Sequence, residues 1–172
     1  MINSKVETAL NEQVNAEIYS SYLYLSMSSY FSSINLSGFA QWMKSQALEE
    51  MVHAMKIYDY INERGGRVLL TAIDAPPTSW DNPVVVFTET LAHEQKVTGL
   101  INNLVDIAIA EKDHATNIFL QWFVSEQVEE EASVDEVLQK LKMVGDQGHG
   151  LFMMDRELGA RTPAPAVLTA AE

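Results

Sequence analysis

Residues 47–55 read ALEEMVHAM, a helical stretch that sets Glu50 and His53 among apolar neighbours. Followed outward in steps of three and four, the same face carries Phe39, Met43 and Gln46 on one side and Ile57 and Tyr60 on the other. Residues three apart share a helical face, so a helix that buries Glu50 buries His53 beside it. A buried carboxylate without a partner is strongly destabilising. Its partners must therefore stand elsewhere in the chain.

The chain has 172 residues, enough for one domain with a sizeable core and no need of disulfides. It contains no cysteine, which rules out a disulfide framework, an iron–sulfur cluster and a thiolate zinc site. The N-terminus is polar and amphipathic rather than basic and then apolar, and no apolar run is long enough for a membrane span. These features predict a cytoplasmic protein without a membrane partner. Against 11 Lys and Arg stand 24 Asp and Glu, a formal charge of −13. Such a surface is a poor partner for nucleic acid and a better one for cations.

Helical spacing runs through nearly all of the chain. Ser4 and Glu7 have capping-box spacing, so a first helix starts there and runs to about Ser32. A second runs from Ser37-Gly38 to the Gly65-Gly66 pair, and a third opens at Asn82-Pro83 and lasts to about Glu111. Asp113 caps a fourth that ends near Gly145, and a short fifth covers about Gly150 to Leu158. Residues 1–158 thus form the bundle and residues 159–172, TPAPAVLTAAE at their end, a flexible tail. Between the second and third helices lies RVLLTAIDAPPTSWDN, residues 67–82, whose paired prolines forbid a helix. Extended, it reaches about 55 Å, more than the roughly 40 Å of the second helix. It can run the length of the bundle, joining two antiparallel hairpins by one long crossover.

Each helix breaks its apolar seam near its midpoint. The first does so with Glu17, between Gln13 and Ser20, on a seam that also holds Tyr24; the third does so with Glu94, and the fourth with Gln127 and Glu130. Helices of equal length packed side by side bring their midpoints to one height, so Glu17, Glu50, His53, Glu94, Gln127 and Glu130 converge. Four carboxylates in a low-dielectric core survive only if protonated or neutralised by cations, and no seam Lys or Arg is present. Two divalent ions balance the charge. Carboxylate oxygens with one imidazole suit iron or manganese.

In order, NAEIYSSYLYL, EEMVHAM, ERGG, AHEQ, FLQWFVSEQVEEE and DREL resemble the ferritin family, and more narrowly the bacterial and archaeal non-haem ferritins, over about residues 4 to 158. The resemblance implies an all-α, ferritin-like four-helix bundle with a long crossover and a short fifth helix, assembled into a hollow shell of 24 subunits. It implies a ferroxidase that oxidises Fe(II) with dioxygen or peroxide and stores a ferric mineral. Glu17, Glu50 and His53 then match the first iron's ligands, with Glu50 bridging to a second iron held by Glu94 and Glu130. Gln127 matches a nearby amide at the dioxygen or water position, and Tyr24 a tyrosine beside the centre. Glu49, Glu126 and Glu129 match a third iron site built from oxygen ligands alone, whereas Glu131 reads as a solvated acid.

Other members of the superfamily carry a second Glu-x-x-His on the fourth helix, where this chain has Gln127-x-x-Glu130, and that favours storage over oxygenase or peroxidase chemistry. Met51 occupies the haem-binding slot of bacterioferritins but reads as a packing residue, so no haem is expected. Positions matching the acidic threefold pore of eukaryotic relatives are Asn117 and Leu120, which casts iron passage there in doubt. His93, His114 and His149 read as surface residues. Two alternatives stay open on the sequence: a diiron oxidase or peroxidase of the rubrerythrin type, and a structural bundle without metal.

Overall fold

The computed structural model describes residues 1–145 and 148–160. Four long helices, α1 (Ser4–Ser33), α2 (Ser37–Glu63), α3 (Pro83–Ala110) and α4 (His114–Val144), precede a short α5 (Gly148–Leu158). The expected break after α2 is made by Gly65, whose φ of 71° is the left-handed conformation glycine adopts without strain. Asn82 caps α3 by accepting from the Val85 N–H, with Pro83 in the first turn, and Asp113 caps α4 by accepting from the Thr116 N–H. One cap differs from expectation. Asn3, not Ser4, caps α1 by accepting from the Lys5 N–H, and Glu7 turns outward to accept from the Arg67 N–H of the crossover.

The α1–α2 hairpin packs on the α3–α4 hairpin with every neighbouring pair antiparallel. The start of α1 meets the end of α3 through Lys5 and Glu111, and the end of α2 meets the start of α4 through Arg64 and Asp113. Residues 67–82 carry no regular structure and run along α1. Asn11 donates to the Arg67 carbonyl and accepts from the Leu69 N–H, Asn15 donates to the Ala72 carbonyl, and Ser26 donates to the Pro77 carbonyl. The crossover therefore spans most of the bundle's height, pinned by polar side chains. No helix among the described residues is long and apolar enough to cross a membrane.

The core divides into two apolar clusters. One, around Met27, Phe31, Phe39, Met43, Phe87, Val134 and Leu138, fills the end nearest α5; the other, around Leu10, Ile57, Ile61, Ile101, Leu104, Leu120 and Phe123, fills the opposite end. The seams fall as expected with two shifts: Tyr60 and Leu91 are only half-buried, and their neighbours Ile61 and Thr90 take the buried positions. The tail residues 161–172 lie outside the described residues.

The N-terminus of α2 has no cap of its own. Asp155 of α5 supplies one, its Oδ1 accepting from the N–H groups of Gly38 at 2.7 Å and Phe39 at 3.1 Å. A Cβ on Gly38 would sit 1.6 Å from the Asp155 carbonyl oxygen, so only glycine allows this approach. Asp155→Ala should cost about 1–2 kcal/mol, the usual worth of a side-chain cap. Gly38→Ala should cost more, because it expels α5 instead of deleting two hydrogen bonds. Thermal denaturation, with amide exchange of residues 148–158, checks the order of the two effects.

Candidate metal centre

Between the two apolar clusters lies a belt of buried polar side chains. Gln13 and Glu17 come from α1, Gln46, Glu50 and His53 from α2, Glu94 from α3, and Gln127 and Glu130 from α4; each is at most 6 % exposed. The expected convergence at mid-height is what the helices deliver. Single donor atoms of Glu17, Glu50 and His53 lie within 4.8 Å of one another, as do those of His53, Glu126 and Glu130. His53 Nδ1 is 3.5 Å from Glu50 Oε2.

Amide and hydroxyl donors hold the carboxylates from behind. Gln13 Nε2 donates to Glu17 Oε1 at 2.8 Å, Gln46 donates to Glu130 Oε2, and the Tyr24 hydroxyl donates to Glu94 Oε1. Gln127 Nε2 donates to Glu94 Oε2 and to the Glu94 carbonyl, both at 3.3 Å. Among the described residues two buried side-chain acceptors remain without a partner, Glu17 Oε2 and Glu50 Oε1. Buried carboxylate oxygens without a hydrogen-bond partner are strongly unfavourable unless a positive charge lies beside them. An oxygen-rich donor set with one imidazole and no sulfur fits iron or manganese.

The electrostatics agree. Burial, then the charge of Glu50, pushes Glu17 well above the ordinary carboxyl range, and burial with the charges of Glu94 and Glu130 does the same to Glu50. Burial raises Glu94 against the opposing hydrogen bonds of Tyr24 and Gln127, and burial with the Glu94 charge lifts Glu130 to about 7. Tyr24, raised by burial and by Glu94 and Glu50, keeps its proton and so remains a donor.

Of the expected third set, Glu49 and Glu126 are half-buried beside this belt, while Glu129 is exposed. The structure also brings Glu126 to His53 and Glu130, a grouping that does not include Glu49 or Glu129. Three further expectations are corrected. His93 is not a surface residue: its Nε2 lies 2.8 Å from Ser20 Oγ, its ring meets Tyr24 edge-on, and burial lowers it to about 4. Leu120 is wholly buried in the bundle core and cannot line a pore, whereas Asn117 is half-buried and accepts from Gln121. Glu131 is half-buried and accepts from the Thr98 hydroxyl rather than from solvent. His114 and His149 are exposed as expected, and Met51 is exposed on α2.

Sequence reading placed Gln13 and Gln46 on the seams but gave them no role; their position one turn before Glu17 and Glu50 was the available signal. It passed over Trp122, whose ring meets His53 edge-on at 5.4 Å and carries Lys56 over its face.

A bundle of two crossover-linked hairpins with a carboxylate–imidazole belt across its middle is the design of a ferritin-like domain, and the family model of that description matches residues 7–144. A bacterial non-heme ferritin of Bacteroides fragilis is 51% identical over 94% of this chain and 100% of its own, and one of Staphylococcus saprophyticus is 43% identical over 94% and 97%. An open-pore ferritin from Archaeoglobus fulgidus superposes with a TM-score of 0.93 at 52% identity, covering 94% of this chain and 100% of its own. The chain belongs to the ferritin family.

A metal ion competes with protons here, which fixes a pH dependence. Unfolded carboxyls titrate near 4.5, whereas in the folded chain Glu130 titrates at about 7 and burial also holds Glu17 and Glu50 well above their ordinary value. Between those limits the folded chain holds protons the unfolded chain has released, so raising the pH must destabilise the metal-free protein. Calorimetry should show its Tm falling from about pH 5 to about pH 7, while the Tm gain on adding Mn(II) grows over the same range.

Proposed function

We propose that this chain is an iron-storage ferritin whose ferroxidase site is the mid-bundle belt. The carrying observation is the buried cluster of Glu17, Glu50 and His53, whose donor atoms lie within 4.8 Å of one another while Glu17 Oε2 and Glu50 Oε1 have no hydrogen-bond partner. Glu17, Glu50 and His53 bind one Fe(II), and Glu50 bridges to a second bound by Glu94 and Glu130. Each Fe(II) gives up one electron, so a single dioxygen or peroxide between them receives two. The protons displaced from the carboxyls as iron binds leave with the product. Gln127, with its amide nitrogen engaged by Glu94, holds the oxidant or water position, and Tyr24 fixes Glu94 while lying close enough to supply a hydrogen bond or an electron.

Glu49, Glu126 and Glu129 form a third iron position at the edge of the pair. Its partial exposure makes it the most exchangeable of the three, and it passes iron onward. Oxidised iron collects as ferric mineral inside a closed homo-oligomer of 24 chains. The strongly acidic composition suits a cation-rich interior.

Stopped-flow absorbance after mixing metal-free protein with aerobic Fe(II) tests the site. Glu50→Ala should lose the fast oxidation phase, by about a hundredfold or more as expected for removal of a bridging ligand, with unchanged far-UV circular dichroism. An unchanged rate would overturn the assignment. The triple variant Glu49→Ala, Glu126→Ala, Glu129→Ala should keep the first burst while altering the iron-to-dioxygen ratio and the recovery between additions. Sedimentation at micromolar concentration tests assembly: a shell is expected, and a monomer or dimer would remove the storage role.

A further inference from the structure

Hydroxyl side chains inside these helices usually donate back to the carbonyl four residues earlier. Ser20, Ser45, Thr88 and Thr90 all do so. Thr98 does not. Its hydroxyl donates to Glu131 Oε1 across the α3–α4 interface at 2.5 Å, and the carbonyl four residues earlier, that of Glu94, takes its side-chain hydrogen bond from Gln127 Nε2 instead. Gln127 Nε2 also lies 3.3 Å from the Thr98 oxygen. Thr98, Gln127 and Glu131 together border an open cavity of about 310 Å³ between α3 and α4.

This chain of bonds has a fixed direction. A carboxylate only accepts, so Glu131 takes the one proton of the Thr98 hydroxyl, and the Thr98 oxygen is left as an acceptor. The Glu94 carbonyl and carboxylate are acceptors as well. An amide group facing three acceptors must present its N–H groups to them, and its carbonyl oxygen then points away. We propose that Glu131 and Thr98 are positioning residues that set the orientation of the Gln127 amide, keeping its nitrogen on Glu94 and its carbonyl oxygen available to the second iron position. Without Glu131, the Thr98 hydroxyl is free to donate to the Glu94 carbonyl or to Gln127 Oε1, and the amide loses its preferred face. The inference rests on the site reading above, because it gives Gln127 a place beside the second metal.

Co(II) titration of the full-length metal-free protein, followed by its visible d–d absorption, separates the two. Wild type should bind two Co(II) at the belt. Glu131→Ala and Thr98→Val should each weaken the second Co(II) about tenfold, the usual scale for a group that orients a ligand, and leave the first unchanged. Because both act through one hydrogen bond, the double variant should be no weaker than either single one, and Thr98→Ser, which keeps the hydroxyl, should restore binding. Melting curves of the metal-free variants exclude misfolding as the cause. An unshifted second Co(II) in Glu131→Ala, or losses that multiply in the double variant, would overturn the positioning role while leaving the metal site standing. Absence of Co(II) binding by wild type would remove the site reading and this inference together.

Discussion

The rest of the structure depends on the mutual repulsion of four carboxylates held where water cannot screen them. In a low-dielectric interior, like charges a few ångströms apart cannot all ionise. The raised titration of Glu17, Glu50, Glu94 and Glu130 is that repulsion expressed as retained protons. A bundle filled with Leu and Phe at those positions would be more stable, so the belt makes sense only when its charge is answered by cations. The fold is the frame that keeps the repelling groups facing one another.

Several features serve that frame. Dividing the core into two apolar clusters lets each end of the bundle pack without compromise, so the helices stay aligned through a layer that contributes little cohesion. Gln13, Gln46, Gln127 and Tyr24 form an outer ring that holds one oxygen of Glu17, one of Glu130 and both of Glu94, and leaves Glu17 Oε2 and Glu50 Oε1 without a partner. The neutral amides matter: a Lys or Arg in their place would neutralise the acids and remove the need for a metal.

Much of this was legible in the sequence because helical periodicity is strong and the caps are local. Asn82-Pro83 and Asp113 declared α3 and α4, and the acids at the seam midpoints declared the belt before any contact was known. What escaped was whatever depended on neighbours from another helix. Asp155 capping α2 from more than a hundred residues away leaves no local trace. His93 lies next to Glu94 and off the seam, and only the approach of Ser20 and Tyr24 from α1 buries it. Glu131 looked like one more acid in a run of three, since its partner Thr98 stands on the opposite helix.

The division of ligands between the hairpins bears on the order in which the chain acquires its shape. Glu17, Glu50 and His53 all belong to the α1–α2 hairpin, and Glu94, Gln127 and Glu130 to α3–α4. Each hairpin closes through contacts near in sequence and forms early, whereas the long crossover delays their meeting. When they do meet, two acids on each side are pressed together and stripped of water in the same step. A divalent cation held by Glu17 and Glu50 cancels their two charges and so removes that repulsion from the face of the first hairpin. The metal that the belt suits would thereby also ease the meeting of the two halves that build it.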